Sequence, residues 1–250
     1  MDWSFYAAAA PAVILLGVAK SGFSGLGALA VPILALSIPP LQAAAITLPI
    51  MVVQDWVGVY AFRREVDRRN LAILLPAALV GVVMAFLFAA RVSEDVVKLA
   101  LGVISLGFVA ITVIRDRWLA AKPTTAEVAP GLFWGALAGF ASFVSHSGGP
   151  PFLVYTMPQR LSAPVFAGTS VLFFALVNLM KVPPYLLLGQ FSRANLLTSL
   201  TLLPLAIVST LAGVWIVRRV STEKFYAAVL VLTLGLGCKL TYDAVRALYG

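Results

Sequence analysis

A chain of 250 residues that is 61% hydrophobic and only 11% charged cannot cover a water-facing surface. A mean hydropathy of +0.99 agrees, so the bilayer is the main solvent and a separate soluble domain is excluded. The formal net charge of +8 sits in short loops between apolar runs. No extended basic patch forms, which excludes a nucleic-acid partner and fits an excess of Lys and Arg on the cytoplasmic side.

Crossing about 30 Å of hydrocarbon takes roughly 20 apolar residues, so the chain has room for about seven to nine spanning elements. The opening stretch "MDWSFYAAAAPAVILL" carries Asp2 and no Lys or Arg, and reads as a retained first helix rather than a signal peptide. Apolar runs follow at 5–19, 28–38, 41–62, 71–90, 96–114, 130–144, 162–181, 195–217 and 224–247. The run at 28–38 is too short to span, as is the piece "PPFLVYTMP" after residue 149. Open strands would leave backbone groups unpaired in lipid, and nothing alternates as a barrel strand must, so an all-α polytopic membrane protein is expected. The single cysteine, Cys238, excludes an intramolecular disulfide and reads as a small core residue.

The sequence repeats. Shifting residues 74–113 by 128 onto 202–241 matches twelve of forty positions, among them Leu74-Leu75-Pro76 with Leu202-Leu203-Pro204 and Arg91-Val92-Ser93 with Arg219-Val220-Ser221. A shift of 122 pairs Gly17 with Gly139, Gly27 with Gly149, Ala45 with Ala167 and Thr47 with Thr169. Two homologous repeats are therefore expected, residues 1–116 and 130–250, joined by a cytoplasmic linker at 117–129. Each reads as a broken or re-entrant helix followed by three transmembrane helices. If the broken element folds back, the repeats are inverted, and the basic loops at 63–70, 115–122 and 218–224 share the cytoplasmic side with Arg160. If it crosses, the repeats are parallel and Arg218 and Arg219 lie outside. Basic loops favour inversion.

The break itself is the stretch "AKSGFSGLGALAVP" at 19–32. Each glycine inside a helix costs about 1 kcal/mol relative to alanine, so Gly22, Gly25 and Gly27 followed by Pro32 argue against a continuous helix. The corresponding place in the second half holds Ser145, His146, Ser147, Gly148 and Gly149 before two prolines. Paired interruptions in repeated halves point to a transporter's binding site. Broken helix ends can offer amides and the positive end of a helix dipole to an anion. Hydroxyls of Ser21, Ser24, Ser145 and Ser147 can add donors, and Thr47 and Thr169 can close the sides. The plainer alternative is glycine for close helix packing.

Lys20 is the charge nearest the first break. It reads either as a ligand contact or as a lysine snorkelling to the interface. His146, the only histidine, is either a proton-handling group or a hydrogen-bonded structural one. Asp55 is the one acid clearly within an apolar run. It reads as a proton carrier, as the partner of Lys20, or as a group paired with Arg63 and Arg64. Asn178 stands nearly at the equivalent place in the second half. Lys181 and Lys239 read as interfacial, and the arginines as topology anchors. No nucleotide, zinc or nucleophile-elbow motif is present, so neither enzyme activity nor a metal or cofactor is expected.

The runs "GLGALAVP" (Gly25–Pro32) and "SGGPPFLVY" (Ser147–Tyr155) resemble a pattern of the TauE/SafE family of anion permeases: a G-x-G-G-G-like run, a few apolar residues and a proline. The first copy departs from it at Ala28 and Leu29. The resemblance also covers length and the two related halves. It implies a secondary transporter of the cytoplasmic membrane that moves sulfite, sulfonates such as sulfoacetate, or other small organic anions. Partners are then the anion and membrane lipids, and a homodimer is one assembly the chain allows. The rival readings are a passive anion channel and a membrane scaffold without transport.

Overall fold

The computed structural model describes residues 3–23, 30–34, 37–38, 40–88, 93–114, 123–187 and 192–249. Among these the protein is helical, with no strand. In chain order the helices are α1 (Trp3–Ala19), α2 (Ala30–Leu34), α3 (Pro40–Phe62), α4 (Arg68–Phe88), α5 (Glu94–Ile114), α6 (Val128–Ser145), α7 (Gly149–Thr156), α8 (Ala163–Leu187), α9 (Arg193–Arg219) and α10 (Thr222–Tyr249). A 3-10 turn, Met157–Gln159, extends α7. These bounds follow the apolar runs closely.

Five of the helices are long and apolar enough to cross a membrane: the segments Ala45–Phe62, Arg68–Phe88, Ala163–Leu187, Arg193–Arg219 and Thr222–Leu248. Their outer faces carry Leu79, Val80, Val83, Leu87, Val208, Leu211, Trp215 and Val231, all exposed. Water would penalise such a surface and lipid does not. Pro11, Pro49, Pro76 and Pro204 lie inside helices, a placement membrane helices tolerate better than soluble ones. Cys238 is exposed on α10 and is not a core residue as its size suggested. A weakly polar thiol loses little by facing hydrocarbon.

The chain packs as two compact units, and neither is a sequence half. Unit 1 holds residues 1–67 and 163–220, and unit 2 holds 68–162 and 221–250. In unit 1, α1 and α3 pack on α9, and α3 packs on α8. Helices α1 and α9 run parallel: Gly17 lies against Ser209, and Ser21 against Gly213. Helices α3 and α8 run antiparallel, because Asp55 meets Asn178, Gly58 meets Val171 and Phe62 meets Gly168. In unit 2, α6 packs on α4 and α10 on α5. Helices α4 and α6 run parallel, with Gly131 against Ile73, Gly135 against Leu74 and Gly139 against Ala78. Helices α5 and α10 are antiparallel, with Gly102 against Thr241 and Gly237 against Ser105 and Leu106.

Candidate functional site

In unit 1 the end of α1 is held among three other helices. Helix α1 stops at Ala19, and the next residues tighten into a turn, where Ser21 N–H and Gly22 N–H bond to the carbonyls of Val18 and Ala19. Gly22 adopts φ +116°, and a Cβ there would lie 2.4 Å from the Cβ of Ala167 on α8. Both facts demand glycine. On α3, a Cβ at Gly58 would lie 2.9 Å from the Lys20 carbonyl oxygen. Small residues thus let the turn sink between α3, α8 and α9, and Lys20 goes with it.

Lys20 is only 8% exposed. Its Nζ lies 2.7 Å from Oδ1 of Asp55, which is itself 2% exposed. The contact is a close, buried ion pair. Asn178 Nδ2 donates to the other carboxylate oxygen at 2.6 Å. Removing two opposite charges from water is costly, and close pairing offsets that cost only when the remaining lone pairs are also met. One turn further along α8, Lys181 is 1% exposed and within electrostatic reach of both Lys20 and Asp55. It is buried and not interfacial. Its spacing of three from Asn178 puts both on one helix face, a signal the sequence carried. Lys239 fits the interfacial reading better, being half exposed and paired with Asp243.

Next to Asp55, Gln54 is fully buried between α1 and α9. Its Nε2 donates to the carbonyls of Val13 and Ala206, and its Oε1 has no partner. On the other side, Asp55 forms part of the wall of a cavity of about 30 Å³ between α3 and α8, otherwise lined by apolar side chains such as Val59, Leu172 and Leu176. With a single polar residue in its wall it offers water too few partners to be held.

The threonines lie elsewhere. Thr47 stands eight residues before Asp55 on α3, about 12 Å along the axis. Thr169 stands nine residues before Asn178 on the antiparallel helix, toward the opposite end of the pair, where its Oγ1 accepts from Asp67 N–H at 2.8 Å. Both threonine hydroxyls, and that of Ser21, donate to carbonyls of their own helices. Of the residues read from sequence as one site, unit 1 brings together Lys20, Asp55 and Asn178, beside Ser21 and Gly22. Ser24, Gly25 and Gly27 lie outside the described residues.

In unit 2, α6 ends at Ser145 and His146 takes φ +53°, ψ +20°. Glycine usually fills that left-handed place. The amides of His146 and Ser147 turn back to the carbonyls of Ser142 and Ala141. Helix α7 restarts at Gly149, but Pro150 and Pro151 carry no amide, and Phe152 N–H bonds to the Gly148 carbonyl. Three of its first four residues therefore offer no free N–H. Sequence reading also missed what holds α7 in place. Asn70 and Gln159 exchange side-chain hydrogen bonds at 2.8 and 3.0 Å, both buried, and Tyr155 Oη donates to the Glu127 carbonyl. Asn70 lies 89 residues from Gln159, and neither amide carries a charge to mark it.

A family model described as sulfite exporter TauE/SafE matches residues 9–240. The chain belongs to the TauE/SafE family. This is a family of membrane transporters and not of enzymes. Ionisable groups buried within helices this apolar are rare in a membrane. No curated protein and no solved structure matches the chain. Among the described residues no cluster of His, Cys, Asp or Glu is suited to a metal ion.

Proposed function

We propose that this TauE/SafE protein is a secondary transporter of the cytoplasmic membrane. It carries small oxyanions, such as sulfite and sulfonates including sulfoacetate, and binds them in unit 1 between Lys20, Asn178 and Lys181. The observation that carries this is the cluster itself. Two lysines and one carboxylate are the only fully charged residue types buried among the described residues. An anion offers the buried ammonium groups what lipid cannot. The Asp55 carboxylate, met by Lys20 Nζ on one oxygen and Asn178 Nδ2 on the other, supports the reading that these groups suit an oxyanion. Asp55 and His146 are the candidates for proton coupling.

The halves 1–116 and 130–250 are read as inverted repeats, each with a broken element. Under the sequence shifts, α3 corresponds to α8 and α5 to α10, and both pairs run antiparallel. Likewise α1 corresponds to α6 and α9 to α4, and the packing is reciprocal: α1 lies parallel to α9 as α6 does to α4. Equivalent helices of opposite direction support an axis in the membrane plane. In unit 1, Arg218 bonds to Glu65 and to the Ala61 carbonyl, so the basic stretches near 63 and 218 share one end. That end is cytoplasmic by the charge bias. The linker 117–129, contacts with lipid, and a homodimer complete the reading.

Uptake of labelled sulfite into proteoliposomes tests it. The expected result is saturable uptake with counterflow, lost in Lys181→Met. Flux that neither saturates nor shows counterflow identifies a channel, and no flux with any anion identifies a scaffold. Cysteine labelling at 64 and 220 on opposite membrane faces would rule out the inverted arrangement.

A further inference from the structure

In unit 2 a cavity of about 180 Å³ opens between the start of α6 and the end of α7. A cavity of about 150 Å³ holds benzene, so a small organic group fits here. Its wall includes Thr124, Thr125, Glu127, Trp134 and Tyr155, and Glu127 is its only charged residue. The segment along its rim is pinned by its backbone. Thr124 N–H donates to the Pro158 carbonyl at 3.2 Å, Tyr155 Oη to the Glu127 carbonyl at 2.9 Å and Arg69 Nε to the Ala126 carbonyl at 3.0 Å. The side chains are left over. Glu127 does not cap α6 with its carboxylate. Among the described residues that carboxylate has no partner, and Arg69 makes only the one bond through Nε. A carboxylate and a guanidinium are thus held on neighbouring residues' backbone without pairing. The place also has the level of lipid headgroups. Arg68 and Arg69 open α4, and α6 starts at the same end because it runs parallel. Just inside, Val128, Leu132 and Phe133 are exposed. Trp and Tyr favour that level of a membrane.

We propose that this cavity binds the headgroup of a zwitterionic phospholipid, one that ends in a primary ammonium. The ammonium enters the cavity. The Glu127 carboxylate and the threonine hydroxyls accept its hydrogen bonds, and the rings of Trp134 and Tyr155 add cation–π attraction. The phosphodiester, two carbons away, meets the remaining N–H groups of Arg69, and the acyl chains run along Leu132 and Phe133. One zwitterion thus answers both unpaired charges. An anionic lipid answers only Arg69. Its headgroup would cover the Glu127 carboxylate without a counter-charge, which is costly.

Native mass spectrometry of the full chain in detergent tests this, with phosphatidylethanolamine and phosphatidylglycerol of equal chain length as probes. The wild type should hold the ethanolamine lipid about tenfold more tightly or better. Glu127→Gln removes the charge and keeps the backbone bond to Tyr155. It should lower the affinity for the ethanolamine lipid by about tenfold and leave that for the glycerol lipid unchanged or raised. Trp134→Leu, on the same wall, gives a second reading and should weaken the ethanolamine lipid alone, by about threefold or more. Arg69→Gln should weaken both lipids. Equal affinity for the two lipids in the wild type overturns the proposal. So does a preference for the ethanolamine lipid that Glu127→Gln and Trp134→Leu both leave intact, because the lipid then sits elsewhere. Soluble phosphoethanolamine that binds as tightly as the lipid makes the ligand a soluble one and overturns the lipid assignment.

Discussion

Asp55 and Asn178 face one another across antiparallel helices, joined by a 2.6 Å hydrogen bond from Nδ2 to Oδ2. They also stand at nearly matching places in the two halves, a shift of 123 apart. Asn178→Leu removes the donor and leaves a buried carboxylate oxygen unmet. An unsatisfied buried group costs about 1–3 kcal/mol, more when charged, so the variant should unfold more easily in detergent by at least that amount. Asn178→Gln, which keeps an amide donor, should lose less. Thermal unfolding of the two variants beside the wild type gives the order, and an Asn178→Leu midpoint equal to wild type would mean the bond contributes nothing.

Two kinds of glycine can be told apart. Gly22→Ala meets both a positive φ and the Cβ of Ala167. Overpacking alone costs about 1–3 kcal/mol, and the backbone strain adds to it. Gly107 and Gly235 lie at matching places on α5 and α10, and a Cβ at either meets nothing within 4 Å. Alanine there should be neutral or stabilising by up to about 1 kcal/mol, from helix propensity. Monodispersity and unfolding midpoints of the three variants decide it. Equal effects at all three would show that close packing at Gly22 is not what requires the glycine.

His146 holds a left-handed backbone that costs an L-residue about 1–2 kcal/mol. His146→Gly should therefore raise stability by roughly 1 kcal/mol, unless the imidazole makes contacts worth more than that. The transport pH profile separates the roles. An unchanged profile in a stabilised variant makes His146 structural, and an altered profile gives it a part in proton movement.

The reciprocal amide pair of Asn70 and Gln159 should behave as a unit. Each single alanine variant takes from the other amide the two hydrogen bonds of the pair, at about 1–3 kcal/mol, although Gln159 Nε2 keeps its bond to the Tyr155 carbonyl, whereas the double variant leaves no such remainder. A double-mutant cycle should give a coupling of about 1–2 kcal/mol. Additive losses would mean that the two amides find other partners.

The helices were legible because lipid makes length and hydrophobicity nearly sufficient. The observed bounds of α3, α4 and α9 differ from the apolar runs by at most three residues at either end. Lys20 was legible as a charge beside a break, and Asp55 as the acid inside an apolar run. Lys181 was misread because a lysine near the end of an apolar run normally snorkels, whereas α8 continues past two prolines to Leu187 and keeps the ammonium inside. The amide lock on α7 left no trace, since neutral polar residues carry no periodicity of their own. Nor did the division into packing units, because which half a helix packs against depends on pairings that sequence shifts do not encode.

That division bears on how the protein is made. Lys20 and Asp55 both lie in the first 67 residues, but Asn178, Lys181 and α9 arrive about a hundred residues later. At roughly 5–20 residues per second of synthesis, the early helices wait several seconds or more in the membrane before the rest of unit 1 exists. During that wait each of the two early charges has the other as its partner. Losing Asp55 should therefore harm insertion of the nascent chain more than losing Asn178 does, and substitutions that remove both early charges together should be better tolerated by the insertion machinery than either alone.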